Sequence, residues 1–598
     1  MSAYPEPPTW KDNVPESAEN AAAQRGSARN SMAWTEDRLD ELVVKAWPSY
    51  VLVVALQLKV LWNIWSLRDL TNGDTSSYFS MAYLWYERFA DNIVWSPLYT
   101  AFYGTIFMLM KDVYVATTLH RIIIVIAATL GVLAVMRKLL PPALALLIAA
   151  WWAILPINFD TLSEVHLFAL LPVLAACLVA GSCDTPLGRG TALAILVAAT
   201  ILVRYELVVA SVTFALICLA REATIARRAN WTESVRWQSH LASYGAPLLS
   251  ALAICAVFYW RSDIHFPATS VALASKHTHN LCQAFAFGYA QRHPEWTLNP
   301  WLECRQLMGS LFGQPQPDLL QMIKSNPRAV LEHAVWNISL VPNGLQVGLF
   351  NAMSGTVNPD YPPVNRSGVA AVLGLAVLLV AACGGIVIMR ERDYWWPAWF
   401  RERRGAWLIL LAVLTVSVPV ILTQRPRPSY LFATTLVLMA VIGSASHVLT
   451  HRFSVAPKIL AVSGMLALLA AVSPYYVRHP SDRPLYAALE RLEPYAAFMK
   501  QNSKKAILGV GELGGYLRLR RIAVDYSILS SWPRQQGLDR FLDAQGIDTI
   551  YVEPALLNRL KSAPQALQLL FQPESVGWRR LGPQSNGDPA WLLLYRDK

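Results

Sequence analysis

An aspartate that follows the first apolar segment of this chain is a candidate for acid–base chemistry. Asp74 lies in "NGDTSSY", about nine residues after the first long apolar segment, 47–65. A carboxylate held at such a place can remove a proton from a reacting hydroxyl as a general base. An Asx or glycine turn after Asn-Gly would explain the same residue without any chemistry. Both interpretations of Asp74 stay open at this point.

Further ionisable side chains lie at the ends of other apolar segments. They are Glu164 and His166 in "SEVHLF", Arg204 and Glu206 in "VRYE", and Arg425 and Arg427 in "QRPRPSY". A single charge at a membrane edge usually anchors its helix, whereas several that converge on one face of a bundle form a polar cavity. The pattern therefore favours a polar site at one edge of a helical bundle.

The bundle itself follows from the composition. Hydrophobic residues make up 54% of the 598 residues and charged residues 15%, whereas about a quarter of a soluble domain is charged. Apolar segments near 20 residues are long enough to cross a hydrocarbon core of roughly 30 Å. They recur at 47–65, 114–136, 142–157, 162–181, 191–220, 242–260, 367–389, 406–424, 429–449 and 457–474. The chain is predicted to be an α-helical polytopic membrane protein.

The net charge of +11 reflects basic loops, and no nucleic-acid partner is expected. Lysine and arginine crowd the short loops "REATIARR" (221–228), "RERDYWWPAWFRERR" (390–404) and "HRFSVAPK" (451–458). Such loops stay cytoplasmic, and contact with anionic membrane lipids is their second role. If the segment 191–220 is two short helices that meet at "VRYE", about eleven spans satisfy every basic loop. The predicted location is the plasma (inner) membrane.

Three regions follow from this topology. Residues 1–45 are polar and lack the apolar core of a cleavable signal, so they are predicted to be a disordered cytoplasmic tail. Residues 46–475 form the transmembrane module, with outer loops 66–113 and 261–366. Residues 476–598 are predicted to be an extracytoplasmic α/β domain, because short apolar runs alternate there with helical patterns.

The carboxy-terminal region also contains a glycine motif. Its strands are predicted at 504–510, 521–526, 548–554 and 591–596, and its helices at 482–500 and 554–571. "GVGELGG" (509–515) matches G-x-G-x-x-G, but the next strand is predicted about six residues later. That spacing leaves no room for the helix that binds a dinucleotide, so a glycine-rich turn is the better interpretation.

The first outer loop supplies the surroundings of Asp74. "TSSYFSMAYLWYERF" (75–89) and "WSPLYTAFYGTIFMLM" (95–110) are aromatic and amphipathic. They are predicted to be interfacial helices that form a floor around Asp74.

The second outer loop offers two further features. "KHTHN" (276–280) is expected to be a solvated polar turn, with a clamp for a phosphate or an acceptor as the alternative. Cys282 and Cys304 would pair in this loop if the compartment is oxidising. "PEWTLNPW" and "DYPPVN" are turn-rich and are expected to pack as a lid.

These motifs together resemble the GT-C glycosyltransferases, multi-span enzymes that use polyprenyl-phosphate sugars. The resembling branch contains the protein O-mannosyltransferases and the aminoarabinose transferases of lipid A. The matching motifs, within roughly 45–475, are "GDTSSY", "WSPLYTAFYG", "HRIIIVIAATLG" with Arg121, "SEVHLF" and "RPRPSY". Family members often have a second acid where this chain has Thr75, and Pro-Pro where it has Ser96-Pro97. These departures leave the acceptor class open.

The resemblance implies a GT-C-like module in which a sugar moves from a polyprenyl-phosphate donor to a glycan, glycolipid or protein acceptor. Asp74 would be the general base, and direct displacement would invert the anomeric centre. The residues implied to bind the donor phosphate are Arg204, Arg425, Arg427 and Lys276, and those implied to line the site are Tyr78, Glu206 and Tyr430. Some members bind a divalent metal, which here implies Mg or Mn on Asp74 and Glu164, with His166 or His265 as a further ligand.

Two other classes of function compete with a transferase. A secondary transporter or flippase of a lipid-linked or polar substrate would need polar sites near the middle of the membrane, often in two related halves. The sequence shows no internal repeat, and its polar clusters lie at segment ends. A non-catalytic scaffold would leave Asp74 and the arginines unexplained.

Overall fold

The computed structural model describes most of the chain after the amino-terminal tail. The described residues are 45–67, 74–88, 96–110, 112–159, 164–228, 234–260, 266–359, 365–397, 403–452, 457–478, 484–508, 512–519, 521–524, 526–533, 535–560, 563–582 and 592–596. The predicted tail, 1–45, lies outside them except for Lys45.

Helices make up the membrane module and the two outer segments. The first ten are α1 (Ala46–Val60), α2 (Ile64–Leu67), α3 (Asp74–Arg88), α4 (Pro97–Leu109), α5 (Val113–Leu139), α6 (Pro142–Ile154), α7 (Glu164–Ser182), α8 (Pro186–Leu202), α9 (Val208–Arg228) and α10 (Ser234–Trp260). The next eleven are α11 (Phe266–Arg292), α12 (Cys304–Phe312), α13 (Leu319–Ser325), α14 (Pro327–Phe350), α15 (Gly368–Arg390), α16 (Arg392–Trp395), α17 (Arg404–Leu414), α18 (Ser417–Thr423), α19 (Phe432–Arg452), α20 (Pro457–Ala471) and α21 (Tyr475–Arg478).

The polytopic prediction is confirmed. Within the described ranges, nine helical segments are long and apolar enough to cross a membrane, and the two other predicted spans correspond to the shorter apolar helices α6 and α8. The predicted break at "VRYE" is also present, because α8 ends at Leu202 and a 3-10 turn at Tyr205–Leu207 separates it from α9.

Burial distinguishes central helices from peripheral ones. Of the most apolar part of each span, 56% is buried in α5 and 67% in the span that contains α19, but only 6% in α15. A helix that is apolar on all sides and buried on few of them exposes its remaining surface to lipid. We therefore place α5 and α19 in the centre of the bundle and α15 at its periphery.

Helices α3 and α4 confirm the predicted helical segments of the first outer loop, and they pack closely. Gly104 of α4 makes this approach feasible, because a Cβ there would lie 2.6 Å from the carbonyl oxygen of Ala82 in α3. Phe79 of α3 meets the rings of Tyr103 and Phe107 edge-on, with centroids 6.0 Å and 4.9 Å away. Their location in the membrane interface remains a prediction.

The second outer segment is more helical than the sequence indicated. "KHTHN" lies within the 27-residue helix α11, so its interpretation as a solvated turn is wrong. The five-residue run looked like a turn because it is polar, but tertiary packing extends the helix through it. Residues 293–303 between α11 and α12 do form turns, as "PEWTLNPW" predicted, whereas most of "DYPPVN" lies outside the described residues. A two-residue parallel pair, β1 (Ala352–Met353) and β2 (Asn365–Arg366), follows α14.

The carboxy-terminal region is the predicted α/β domain. Its five strands are β3 (Ala506–Ile507), β4 (Ala523–Val524), β5 (Thr549–Val552), β6 (Arg579–Arg580) and β7 (Leu592–Tyr595), in the order β4-β3-β5-β7-β6. β3 pairs parallel with β4 and β5, and β7 pairs antiparallel with β5 and β6. Its helices are α22 (Pro484–Leu492), α23 (Ala496–Asn502), α24 (Glu512–Tyr516), α25 (Leu538–Ala544), α26 (Pro554–Leu560) and α27 (Pro564–Phe571).

The glycine motif falls at the start of the short helix α24. Gly509 and Gly511 lie outside the described residues, and α24 has only five residues before β4. Gly514 is needed for packing, since a Cβ there would lie 2.2 Å from the Cβ of Ala523 in β4. The prediction of a turn missed this helical turn, but the role of Gly514 is structural.

Candidate active site

Asp74 is the first residue of α3 and its side chain is exposed. The amino-terminal end of a helix favours a carboxylate, because the helix dipole is positive there. Tyr78 lies one turn later on the same face and is buried. Burial raises the pKa of Tyr78, Arg204 opposes that shift, and the nearby charges of Asp74 and Glu206 add to it. An exposed acid and a buried phenol thus share one face of α3.

Arg204 lies at the break between α8 and α9. Its Nη2 donates to Oε1 of Glu206 at 2.6 Å, and its Nε donates to Oε2 at 3.2 Å. Its Nη1 lies 3.2 Å from each ring nitrogen of His166. The break in the helix allows Arg204 and Glu206 to form this fork, because an uninterrupted helix would place residues two apart on different faces.

Lys276 of α11 brings a second cation to the same place. Its Nζ lies 5.9 Å from the centre of the Tyr78 ring. Burial lowers the pKa of Lys276 to about 8, while the charge of Asp74 acts in the opposite direction. Arg204 and Glu206 also act on it electrostatically. The three segments that contain Asp74, Arg204 and Lys276 therefore converge.

Arg427 and Tyr430 complete the arrangement from the loop before α19. The Arg427 guanidinium lies 5.7 Å from the centre of the Tyr430 ring, and that ring meets His166 at 4.9 Å. Both Arg427 and Lys276 act electrostatically on His166. We call these eight residues the polar site: Asp74, Tyr78, His166, Arg204, Glu206, Lys276, Arg427 and Tyr430.

Arg425 takes a different position from Arg427. Its side chain is 6% exposed, and its guanidinium lies 4.2 Å from the centre of the Phe287 ring and 5.9 Å from that of Trp301. Stacking on these two rings holds the loop before α19 against α11 and the turns that follow it. The structure thus places the two arginines of "QRPRPSY" in different surroundings.

The described side chains do not form a metal site. Within the described part of the chain, no three His, Cys, Asp or Glu side chains lie together in a way that could hold a metal ion. His166 faces the guanidinium of Arg204 instead, and a cation beside an imidazole opposes the binding of a second cation. The side chain of Glu164 and all of His265 lie outside the described residues.

Two aromatic residues next to the polar site were not predicted. The rings of Tyr205 and His277 lie 4.0 Å apart. Burial lowers the pKa of His277, and Glu206 partly opposes this shift. Both residues lie in motifs that the sequence singled out, "VRYE" and "KHTHN".

The polar site therefore combines one exposed carboxylate with three cations, the buried ring of Tyr78 and the half-buried ring of Tyr430. Partly buried cations attract an anion, and the carboxylate can accept a proton next to it. This combination suits a reaction in which a hydroxyl attacks and an anion departs.

Comparison with known proteins gives remote similarities. No protein-family model and no curated protein matches the chain. One similar solved structure is the archaeal oligosaccharyltransferase AglB from Archaeoglobus fulgidus in complex with an inhibitory peptide and a dolichol-phosphate. It has a TM-score of 0.41 and 14% identity, over 93% of this chain and 74% of that one. The apo form of the Archaeoglobus fulgidus oligosaccharyltransferase has a TM-score of 0.38 and 14% identity. That alignment covers 84% of this chain and 69% of the other. A likeness of this size establishes neither a family nor an activity for this chain.

Proposed function

We propose that this chain is an integral-membrane glycosyltransferase of the GT-C type. It would move a sugar from a polyprenyl-phosphate donor to an acceptor hydroxyl at the extracytoplasmic face of the plasma membrane. The observation that supports it most strongly is the convergence of an exposed carboxylate, Asp74, with Lys276, Arg204 and Arg427 at one end of the bundle. These residues come from segments separated by up to about 350 positions.

In the proposed reaction the acceptor hydroxyl attacks the anomeric carbon as its proton passes to the Asp74 carboxylate. A new carbon–oxygen bond forms on one side of the anomeric carbon, and the bond to the donor phosphate oxygen breaks on the other. The leaving group is the polyprenyl phosphate, which keeps the electron pair of the broken bond. Because the displacement is direct, the anomeric configuration inverts.

The cations of the polar site would stabilise the charge that develops on the leaving phosphate. Lys276 and Arg427 are the main candidates, since the Glu206 carboxylate already accepts two hydrogen bonds from Arg204. Arg204 would then act chiefly by holding His166 and Glu206 in place. Arg425, on the rings of Phe287 and Trp301, would position the loop that carries Arg427.

The orientation and the acceptor belong to the same proposal. The basic loops support a cytoplasmic amino terminus and an extracytoplasmic carboxy-terminal domain. A glycan, a glycolipid or a protein could supply the hydroxyl, and Glu164 and His265 stay the proposed additional ligands of a divalent metal. A transporter or flippase is the second candidate, because a cationic site in a helical bundle could also bind a lipid phosphate during its transfer across the membrane.

The test is sugar transfer by the detergent-purified Asp74→Asn variant, with a polyprenyl-phosphate sugar as donor. Transfer in detergent also separates the two candidates, since a transporter has no measurable reaction without a closed membrane. Loss of a general base lowers the rate by about 10²–10⁴-fold. Asp74 is exposed, so the melting temperature should change little.

Asp539→Asn is a matched control, because Asp539 also lies in the first turn of a helix, α25, in the carboxy-terminal domain. We expect it to transfer sugar at the wild-type rate. Wild-type transfer by a folded Asp74→Asn protein would make Asp74 a helix-terminal residue without a catalytic role.

A further inference from the structure

The carboxy-terminal domain contacts α3, the helix that begins with Asp74. The ring of Tyr516 in α24 lies 4.6 Å from the ring of Phe79. The guanidinium of Arg518 lies 5.0 Å from the centre of the Tyr83 ring. Phe79 and Tyr83 are one turn apart in α3, so the two contacts follow one face of the helix.

The backbone of Arg518 has an unusual conformation for an arginine. Its φ is 62°, in the left-handed region. The N–H of Leu519 donates to the carbonyl of Gly514 at 2.7 Å, and that of Arg518 donates to the carbonyl of Gly515 at 3.0 Å. These two bonds define a Schellman end of α24, in which Arg518 takes the position that usually belongs to glycine.

The chain uses glycine readily around this position, at Gly514 and Gly515. An arginine in the left-handed region strains the backbone, because its Cβ approaches the carbonyl oxygen. Such strain persists only where the surroundings determine it, and it is enriched where a residue has a role. The half-buried side chain of Arg518 contacts α3, which explains why an arginine and not a glycine occupies this position.

The same helix packs on α4, where Ala82 approaches Gly104 and Phe79 meets the rings of Tyr103 and Phe107. Helix α3 therefore contacts both α4 and the Schellman end of α24. Asp74 is nine residues before Tyr83, which corresponds to about 14 Å along the helix axis. A rigid helix transmits a displacement at Tyr83 to its first residue, and a shift of about 1 Å in a catalytic group can lower a rate 100-fold.

From this geometry we infer that Arg518 is a positioning residue of the reaction. Through Tyr83 it fixes the helix that carries the catalytic base, so the carboxy-terminal domain completes the site without touching the reacting atoms. The effect on transfer rests on the proposed function, whereas the effect on α3 does not.

The test compares Arg518→Gly with the wild type by amide hydrogen exchange and by sugar transfer. Glycine suits the left-handed backbone, so the domain should keep its fold and its melting temperature. A cation over an aromatic ring contributes enough that amide exchange in 74–88 should accelerate by about 2-fold to 30-fold. The kcat should fall while the KM for the donor stays near its wild-type value, because donor binding is unchanged.

Conservative and control variants sharpen the result. Arg518→Lys keeps a cation near the ring and should recover part of the kcat and of the protection of α3. The double variant Arg518→Ala/Tyr83→Leu should change the exchange rate of 74–88 and the kcat by less than the product of the two single changes. Both substitutions remove the same contact. Arg540→Ala removes an exposed arginine of α25 and should change neither quantity.

Two outcomes overturn the inference: unchanged exchange in 74–88 for Arg518→Gly, or faster exchange with an unchanged kcat. Faster exchange in a protein whose wild type transfers no sugar would support the contact and refute the proposed function instead.

Discussion

The charge of Lys276 makes a sharp prediction about pH. Burial lowers its pKa to about 8, so about ten in eleven molecules carry the ammonium at pH 7 and about one in eleven at pH 9. If this ammonium stabilises the leaving phosphate, kcat/KM should fall about tenfold per pH unit above pH 8. A bound phosphate raises the pKa of a neighbouring ammonium by about 1–3 units. The fall in kcat should therefore occur at a higher pH than the fall in kcat/KM.

The neighbouring groups His277, His279 and Tyr78 do not explain this alkaline fall. Burial lowers the pKa values of His277 and His279 below 6.5, so they are neutral well before pH 8. The pKa of Tyr78 is raised above its ordinary value of 10.0. The titration of Lys276 does not destabilise the fold at high pH either. Its pKa in the folded chain, about 8, lies below its ordinary value of 10.5. The folded chain then binds fewer protons between these values, so its stability rises with pH there.

The assay measures initial rates of transfer in detergent from pH 6 to about pH 10, with melting temperatures at each pH. Lys276→Arg keeps a cation that stays protonated throughout, so its alkaline fall near pH 8 should disappear. Lys276→Met should lose activity at all pH values and show no such fall. If Lys276→Arg keeps the same midpoint as the wild type, another group is responsible and the role of Lys276 is refuted.

Two further predictions concern packing and the outer segment. Gly104→Ala should displace α3 and slow transfer, with a net stability loss of at most about 2 kcal/mol, since alanine favours the helix by about 1 kcal/mol and overpacking costs about 1–3. Its control is Gly309→Ala, where the new Cβ would meet no described atom within 4 Å beyond its chain neighbours and the backbone of its own helix; equal transfer by both would contradict the packing argument. Cys282 and Cys304 are buried, adjacent thiols in the structure. In an oxidising outer compartment they should form a disulfide, which would stabilise the fold by about 3 kcal/mol. They should then resist alkylation in denaturant until reduced, whereas Cys183 should react throughout; alkylation of all three without a reductant would contradict the outer location.

The sequence predicted the membrane helices well because the signal for them is local. A span is recognised from about 20 consecutive residues, and its orientation from the charges that flank it. The break at Arg204 was predictable for the same reason, since "VRYE" places two charges inside an otherwise apolar run. The strands of the carboxy-terminal domain alternate with turns and were found in the same way, except for β6, whose two residues are both exposed arginines.

The sequence was less informative where tertiary contacts decide the structure. "KHTHN" is helical because α11 packs as a whole, and five residues do not reveal that. Arg425 and Arg427 look equivalent in "QRPRPSY". Only the fold shows that Arg425 stacks on the rings of Phe287 and Trp301. The left-handed conformation of Arg518 could not be predicted from the neighbouring sequence, because its side chain contacts Tyr83, more than 400 residues earlier.

The charges of the polar site also fit the course of the proposed reaction. Among the described side chains of the polar site, the two carboxylates Asp74 and Glu206 and the three cations Arg204, Arg427 and Lys276 sum to one net positive charge. The donor phosphodiester carries one negative charge. Transfer of the acceptor proton to Asp74 raises the site to two positive charges. At the same moment the departing polyprenyl phosphate becomes a monoester with nearly two negative charges. The site would therefore attract the transition state more strongly than the bound donor, which is the condition for catalysis. The Arg204–Glu206 pair contributes to this balance, because an unpaired Arg204 would bind the donor more tightly without favouring its reaction.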